Sequence, residues 1–353
     1  MNDCLIINLR RVRILVRKDT ETLFKVLDQS TELLQKALNC SYLDAFIENG
    51  NNLLDNDNVH VENGQPRDEV VKQLKTLYSQ VDYSDMASKD VRKAIQMVLI
   101  KAITQDKIQS NHQLTPDTIA FIIGYLLTRI FKSQPEIEIL DLAVGSGNLL
   151  MAIMHQLSSE LHATVHGIGI DNDDSMLSIA GISAEMQKLP VELIHQDSIN
   201  NILVNNVDLV VSDLPVGFYP IDENAKNYVT HSETGHSYAH HLLIEQGMNH
   251  VKPGGFGVFL VPSNLFQTKE SKSLLKWMQD DAYLQGMLNL PKELFANAAT
   301  QKAIMILQRH GNGAKQVNKI MIGEFPSFKD QAAFQKFIAE IVDWEQKDLL
   351  ANS

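Results

Sequence analysis

The sequence predicts an α/β fold, a doubly wound sheet with its last strand antiparallel, preceded by a small helical domain. Three observations predict it. From about residue 137 to 309, short apolar runs alternate with helical patterns, as the strands and crossover helices of a mostly parallel sheet do. Two turns, Asp141-Leu-Ala-Val-Gly-Ser-Gly147 and Ser212-Asp-Leu-Pro-Val-Gly-Phe-Tyr219, each follow such a run, at 137–140 and 207–211. Turns of this kind meet at the carboxyl edge of one sheet, where open α/β sheets bind ligands. Between residue 20 and about 109, by contrast, apolar residues recur at three- and four-residue steps with no strand signal.

Residues 1–18 carry five basic side chains (Arg10, Arg11, Arg13, Arg17, Lys18) against Asp3 and precede the first good helix signal. They read as a loosely held extension. A first helix starts at Thr20 and aligns Leu23, Val26, Leu27, Leu33, Leu34, Ala37 and Leu38. Ser41 is placed to cap a second helix through Leu54, broken near Asn49-Gly50. After a polar loop at 51–64, Pro66 opens a third helix over 67–78. A fourth, over 90–103, carries Val91, Ile95, Val98 and Leu99 on one face. Nothing in these four helices looks catalytic.

Thr115 is expected to cap the next helix, with Pro116 in its first turn. Strand 137–141, helix 147–159, strand 164–170, helix 173–187 and strands 191–196 and 207–212 follow. After a long loop come helix 237–250, strand 256–261, helix 271–280 and strands 283–289 and 301–309. Only the residues 290–300 join the last two, and a parallel crossover needs about a dozen or more. Strand 301–309 is therefore expected to run antiparallel to 283–289. The tail, 327–350, reads as one amphipathic helix that caps the core. The expected division is an extension (1–19), a helical domain (20–110), the α/β domain (111–325) and a C-terminal helix (326–353).

Composition narrows the function classes. With 44% hydrophobic and 21% charged residues the chain is an ordinary globular protein. Cys4 and Cys40 have no metal-ligand spacing, and no signal peptide is evident, which points to a reducing cytoplasm. The longest apolar stretch, 121–131, contains Gly124 and Arg129 and is too short to span a bilayer, so no membrane role is expected. Net charge is −12, so with +4 in residues 1–18 the remainder carries −16. Backbone contacts supply most non-specific DNA affinity, so any DNA binding by this acidic body is expected to be weak.

The two turns carry the chemistry. Gly145 and Gly147 allow a tight turn and close approach of a ligand, and the helix after them offers free N–H groups. The third glycine of the dinucleotide fingerprint is replaced by Leu150, which argues against NAD. Asp141 sets an acid beside the turn and suits a cationic cofactor such as S-adenosylmethionine. Asp171 ends the next strand, where ribose hydroxyls are gripped. Asp197 ends the third and is placed to meet an adenine amino group. One acid at a strand end is commonly a helix cap; three in register with a glycine turn are a stronger signal. His231, His236, His240 and His241 cluster with Glu233, but without metal-ligand spacing, and read as part of a polar lid.

Asp141-Leu-Ala-Val-Gly-Ser-Gly-Asn-Leu-Leu150 resembles motif I of class I S-adenosylmethionine-dependent methyltransferases. The order of parts is similar to the adenine-N6 DNA methyltransferases of the type I modification-subunit kind. It runs from a helical N-terminal domain through Gln113-Leu-Thr-Pro116, motif I, an acceptor loop and Gly254-Gly-Phe-Gly-Val-Phe-Leu-Val-Pro262 to Leu290-Pro-Lys-Glu-Leu-Phe295. The short loop Asp213-Leu-Pro-Val-Gly-Phe-Tyr-Pro220 most resembles the YtxK-type branch. The likeness covers roughly residues 20–325. It implies a Rossmann-like methyltransferase sheet, S-adenosylmethionine as cofactor and DNA as partner. It also implies a cofactor site built from Thr115, Pro116, Asp141, Ala143, Gly145, Gly147, Asp171, Asn172, Asp197 and Ser198.

In the family's Asn-Pro-Pro-aromatic loop, the Asn side chain and a Pro carbonyl accept from the target amine, and the aromatic stacks on the flipped base. Here Asp213 stands for the amide and Val216 for the aromatic. The resemblance thus implies catalytic roles for Asp213 and Pro215, with Phe218 or Tyr219 as the stacking ring. It leaves open an RNA, protein or small-amine acceptor, or a non-catalytic cofactor-binding regulator.

Overall fold

The computed structural model describes residues 18–107, 114–204, 206–295 and 297–350. The basic segment 1–17 and Gln113 lie outside the described residues. Four helices, α1 (Lys18–Leu38), α2 (Tyr42–Leu54), α3 (Asp68–Tyr78) and α4 (Ser88–Gln105), enclose a core that includes Leu23, Leu27, Leu34, Phe46 and Tyr78. Helix α1 starts at Lys18, inside the stretch read as an extension. Ser41 caps α2 by accepting from the Asp44 N–H at 3.0 Å, as the sequence predicts.

The expected break at Asn49-Gly50 does not occur, and packing explains both residues. Asn49 is fully buried; its amide donates to the Leu27 carbonyl and to Thr31 Oγ1, and it accepts from the Tyr78 hydroxyl at 2.8 Å. A Cβ at Gly50 would lie 2.6 Å from Ile182 Cγ2, so glycine here permits a close helix crossing. The partner is α7 (Asp174–Gln187), whose Met176, Ile179, Ile182 and Met186 complete the helical core. The N-terminal helices are therefore seated on the sheet's own layer of helices.

Helix α5 (Asp117–Ile130) leads into an eight-stranded sheet of order β3-β2-β1-β4-β5-β7-β6-β8. Its strands are β1 (Glu136–Asp141), β2 (Thr164–Asp171), β3 (Val191–His195), β4 (Val207–Asp213), β5 (Val251–Pro262), β6 (Ala282–Asn289), β7 (Lys302–Arg309) and β8 (Met321–Glu324). Strands β1 to β5 are parallel, and β7 runs antiparallel to both β5 and β6, as the short connection predicts. Strand β8, parallel to β6, was not foreseen; four residues are too few to show a period.

Alternation along the strands divides the core. Ile139, Leu209, Val258 and Ile304 pack against α5, α6 (Asn148–Leu161) and α11 (Gln331–Trp344). Leu140, Val210, Phe259 and Met305 pack against α9 (Ala239–Asn249) and α10 (Ser271–Asp281) on the other face. A short α8 (Asp222–Ala225) lies in the loop before α9. The tail read as one helix over 327–350 starts only at Gln331, where Asp330 caps it, and ends in a π-helical turn, Glu345–Leu349. Among the described residues, no helix is long and apolar enough to cross a membrane.

Candidate active site

At the carboxyl edge of β1, β2 and β4 the chain encloses a cavity of about 660 Å³, within the range of small-molecule sites. It is lined by every residue the sequence assigned to cofactor or acceptor except Gly147. That glycine sits behind the wall as the N-cap of α6, at φ 76°, where a Cβ would meet Met151 Cε at 2.6 Å. Gly145, at φ 51°, has nothing within 4 Å of a Cβ position. It leaves that side of the turn open for a ligand.

The three strand-end acids hold the turns together. Asp141 is 1% exposed; one carboxylate oxygen accepts from Ser212 Oγ at 2.6 Å and from the Ala143 N–H at 3.1 Å, which links the two turns. Burial pushes its pKa up to about 7 against the pull of those hydrogen bonds, and the nearby Asp171 and Asp213 push the same way. Asp171 accepts from the Gly145 N–H at 2.8 Å and the Asp173 N–H at 3.0 Å. Asp197 accepts from the Ile199 N–H at 2.9 Å and the Tyr219 hydroxyl at 2.5 Å. Ser198 donates to the Leu142 carbonyl at 2.6 Å. A carboxylate has about four acceptor positions, so Asp171 and Asp197 keep capacity for a ligand.

This donor set fits S-adenosylmethionine: three acids for a cation and hydroxyls, an open glycine turn, and sufficient volume. A cation beside Asp141 favours its ionised form. Cofactor binding below about pH 7 should therefore release a proton, and affinity should rise from about pH 5.5 to 7, by at most about tenfold per unit. Calorimetry in buffers of differing ionisation enthalpy measures that proton, and Asp141→Asn should remove both effects.

Two expectations fail around the acceptor turn, the Thr115 cap and the histidine lid. Thr115 does not cap α5; the cap position is Pro116, and Thr115 Oγ1 instead donates to Asp213 Oδ2 at 2.8 Å. The Thr115 carbonyl accepts from Asn148 Nδ2 at 2.9 Å, and Asn148 accepts in turn from Arg92 of α4, so the helical unit braces this wall. Tyr219 is buried with its hydroxyl on Asp197, which leaves the exposed Phe218 (58%) as the ring available for stacking. Phe218 stacks on Tyr238 at 4.6 Å, and Tyr238 on His240 at 5.0 Å. The histidines do not form a lid together. His240 and His241 are buried on α9, and burial pushes them down to about 3 and about 4, so both are neutral at pH 7. His231 bonds the Tyr228 carbonyl and His236 the Asp222 carboxylate.

Sequence reasoning missed Lys302, the first residue of β7. Its ammonium donates to Asp213 Oδ1 and lies 3.4 Å from the Leu214 carbonyl. Strand β5 separates β4 from β7, with Asp213 opposite Leu260 and Lys302 opposite Pro262, so the lysine reaches across the sheet's carboxyl edge. The one hint in the sequence is the acid at 213, which calls for a nearby cation.

Comparison with known proteins gives the family. Residues 21–103 match the YtxK N-terminal helical domain, and residues 88–343 match the N-6 DNA Methylase model. The uncharacterized protein YtxK of Bacillus subtilis strain 168 is 36% identical over 327 residues, 92% of this chain and 97% of that one. A crystal structure of a candidate class I S-adenosylmethionine-dependent methyltransferase from Listeria monocytogenes is 37% identical. It superposes with a TM-score of 0.86 over 92% of this chain and 98% of its own. The methyltransferase subunit of a type I restriction-modification system from Streptococcus thermophilus has a TM-score of 0.59. At 16% identity over 91% of this chain and 72% of its own, it shows a shared fold alone.

Proposed function

The chain belongs to the N-6 DNA methylase family, and from that premise we propose that its methyl acceptor is the exocyclic N6 amine of adenine in DNA. It is an S-adenosylmethionine-dependent methyltransferase, and S-adenosylmethionine is its cofactor. The observation that carries the acceptor reading is the single cavity shared by the three strand-end acids and the Asp213 turn.

In this reading Asp171 takes the ribose hydroxyls, Asp197 and Ser198 the adenine ring, and Asp141 the positive charge. Thr115, Pro116, Ala143, Gly145 and Asn172 form the walls. Bound cofactor supplies an electrophilic methyl group on a sulfonium leaving group. Asp213 and the neighbouring backbone carbonyls accept the N–H groups of the acceptor and aim its lone pair, while Phe218 stacks on the flipped base. Positioning is then the chain's main contribution, with no covalent intermediate on the protein. The division into a helical domain ending near residue 110 and a catalytic domain to about 325 is part of the same proposal. With a net charge of −12, DNA affinity should be weak and steeply salt-dependent.

A second reading, transfer to a primary amine of a protein or small molecule, is favoured by the carboxylate at 213 in place of an amide. Transfer of tritiated methyl groups from S-adenosylmethionine into DNA, RNA and cell-extract protein separates the two. Label in DNA recovered as N6-methyladenine supports the first reading. Label confined to protein or a small amine would overturn the adenine assignment and leave the methyltransferase assignment standing.

A further inference from the structure

Two acceptors at the end of β4, the Asp213 carboxylate and the Leu214 carbonyl, converge on one primary amine, and that amine belongs to the chain itself. Lys302 Nζ donates to Asp213 Oδ1 and lies 3.4 Å from the Leu214 carbonyl; Thr115 Oγ1 occupies the other carboxylate oxygen at 2.8 Å. All four residues line the cavity that holds the strand-end acids. The pair is largely enclosed, at 24% exposure for the lysine side chain and 22% for the aspartate. A carboxylate and a carbonyl side by side form a seat for a nitrogen with at least two N–H donors. A hydroxyl offers one, and a fully substituted amine none.

We propose that Lys302 is the resident occupant of the acceptor seat, and that an incoming amine displaces its ammonium before methyl transfer. The inference rests on the acceptor reading of the Asp213 turn given above. It makes Lys302 a specificity-determining residue. The seat opens only to an acceptor whose binding outweighs a charge-assisted hydrogen bond, the stronger kind in proteins. An acceptor held only by its amine competes poorly, whereas one with a large stacked or anionic remainder competes well. Lysine is long and flexible enough to swing toward the cavity mouth without moving β7.

The test removes the occupant and asks what takes its place. In Lys302→Ala, n-butylammonium, which matches the missing side chain, should bind saturably by calorimetry. It should not bind the wild type, nor the double variant Lys302→Ala/Asp213→Asn. In transfer assays, KM for the acceptor should fall at least tenfold in Lys302→Ala, with S-adenosylmethionine affinity unchanged. Added n-butylammonium should raise that KM again. Lys302→Met, which keeps the apolar stem, should show the same fall in KM and stands in if the alanine variant melts early. No saturable n-butylammonium binding in Lys302→Ala, or an acceptor KM that stays level or rises in both variants, would overturn the proposal. The n-butylammonium arm needs no methyl acceptor. A wrong adenine assignment therefore shows as missing DNA transfer with amine binding intact, and a wrong seat shows as missing amine binding.

Discussion

Replacing Asp213 with alanine is expected to slow methyl transfer by at least about tenfold while leaving S-adenosylmethionine affinity nearly unchanged. The side chain lies at the acceptor end of the cavity, on Thr115 and Lys302, and makes none of the bonds that hold the glycine turn. Its loss removes the one side-chain hydrogen bond made to the acceptor, at about 1.5–3 kcal/mol for a charged one, while the Leu214 carbonyl stays. Losing that one bond corresponds to a rate loss of about 10- to 10²-fold. Asp213→Asn should retain activity or exceed the wild type, because it keeps an acceptor oxygen and releases the Lys302 ion pair. Single-turnover kinetics with calorimetry on the same variants checks both halves; a loss of cofactor affinity equal to the loss of rate would refute the assignment.

The second large effect concerns stability. Arg129 of α5 pairs with Glu345, the first residue of the π-helical turn, and the Glu345 side chain has no exposed surface. Burial pushes this carboxyl up to about 7 even with the guanidinium pulling it down. Removing one partner of a buried pair leaves an uncompensated charge, so Arg129→Met should destabilise the fold by about 3–5 kcal/mol near pH 8. In the wild type the raised pKa means the native state keeps its proton longer than the unfolded chain. This group's contribution is therefore fully present below about pH 4 and is lost as pH rises through about 7. Without Arg129 the native pKa moves higher still, so the decline should extend above pH 7 and the variant's deficit should shrink toward pH 5. Urea unfolding at pH 5 and pH 8 measures this; equal deficits at both would contradict it.

The order of elements is legible in the sequence because each strand and helix carries its own apolar period. The three strand-end acids are legible for the same reason, since their positions follow from where strands 137–141, 164–170 and 191–196 end. Features that depend on a distant partner are not. Lys302 meets Asp213 across 89 positions in the chain, and only the β4–β5–β7 registers bring them together. Thr115 has the residue type of a helix cap, yet the neighbouring carboxylate takes its hydroxyl. Asn49-Gly50 reads locally as a breaker; a buried amide network and a close crossing by α7 keep the helix intact. Tyr219 and Phe218 are adjacent and chemically alike, and only the sheet edge turns one onto Asp197 and the other outward.

In the proposed function the strand-end acids would hold S-adenosylmethionine in the one cavity they share with the Asp213 turn, and the cofactor would supply its methyl group there. A crystal structure with S-adenosylhomocysteine tests this directly. Ribose hydroxyls are expected within hydrogen-bond distance of Asp171, the adenine ring beside Asp197 and Ser198, and the sulfur facing Asp213. A ligand bound outside this cavity, or seated in it with the sulfur turned away from Asp213, would refute the proposed roles of the strand-end acids and of Asp213.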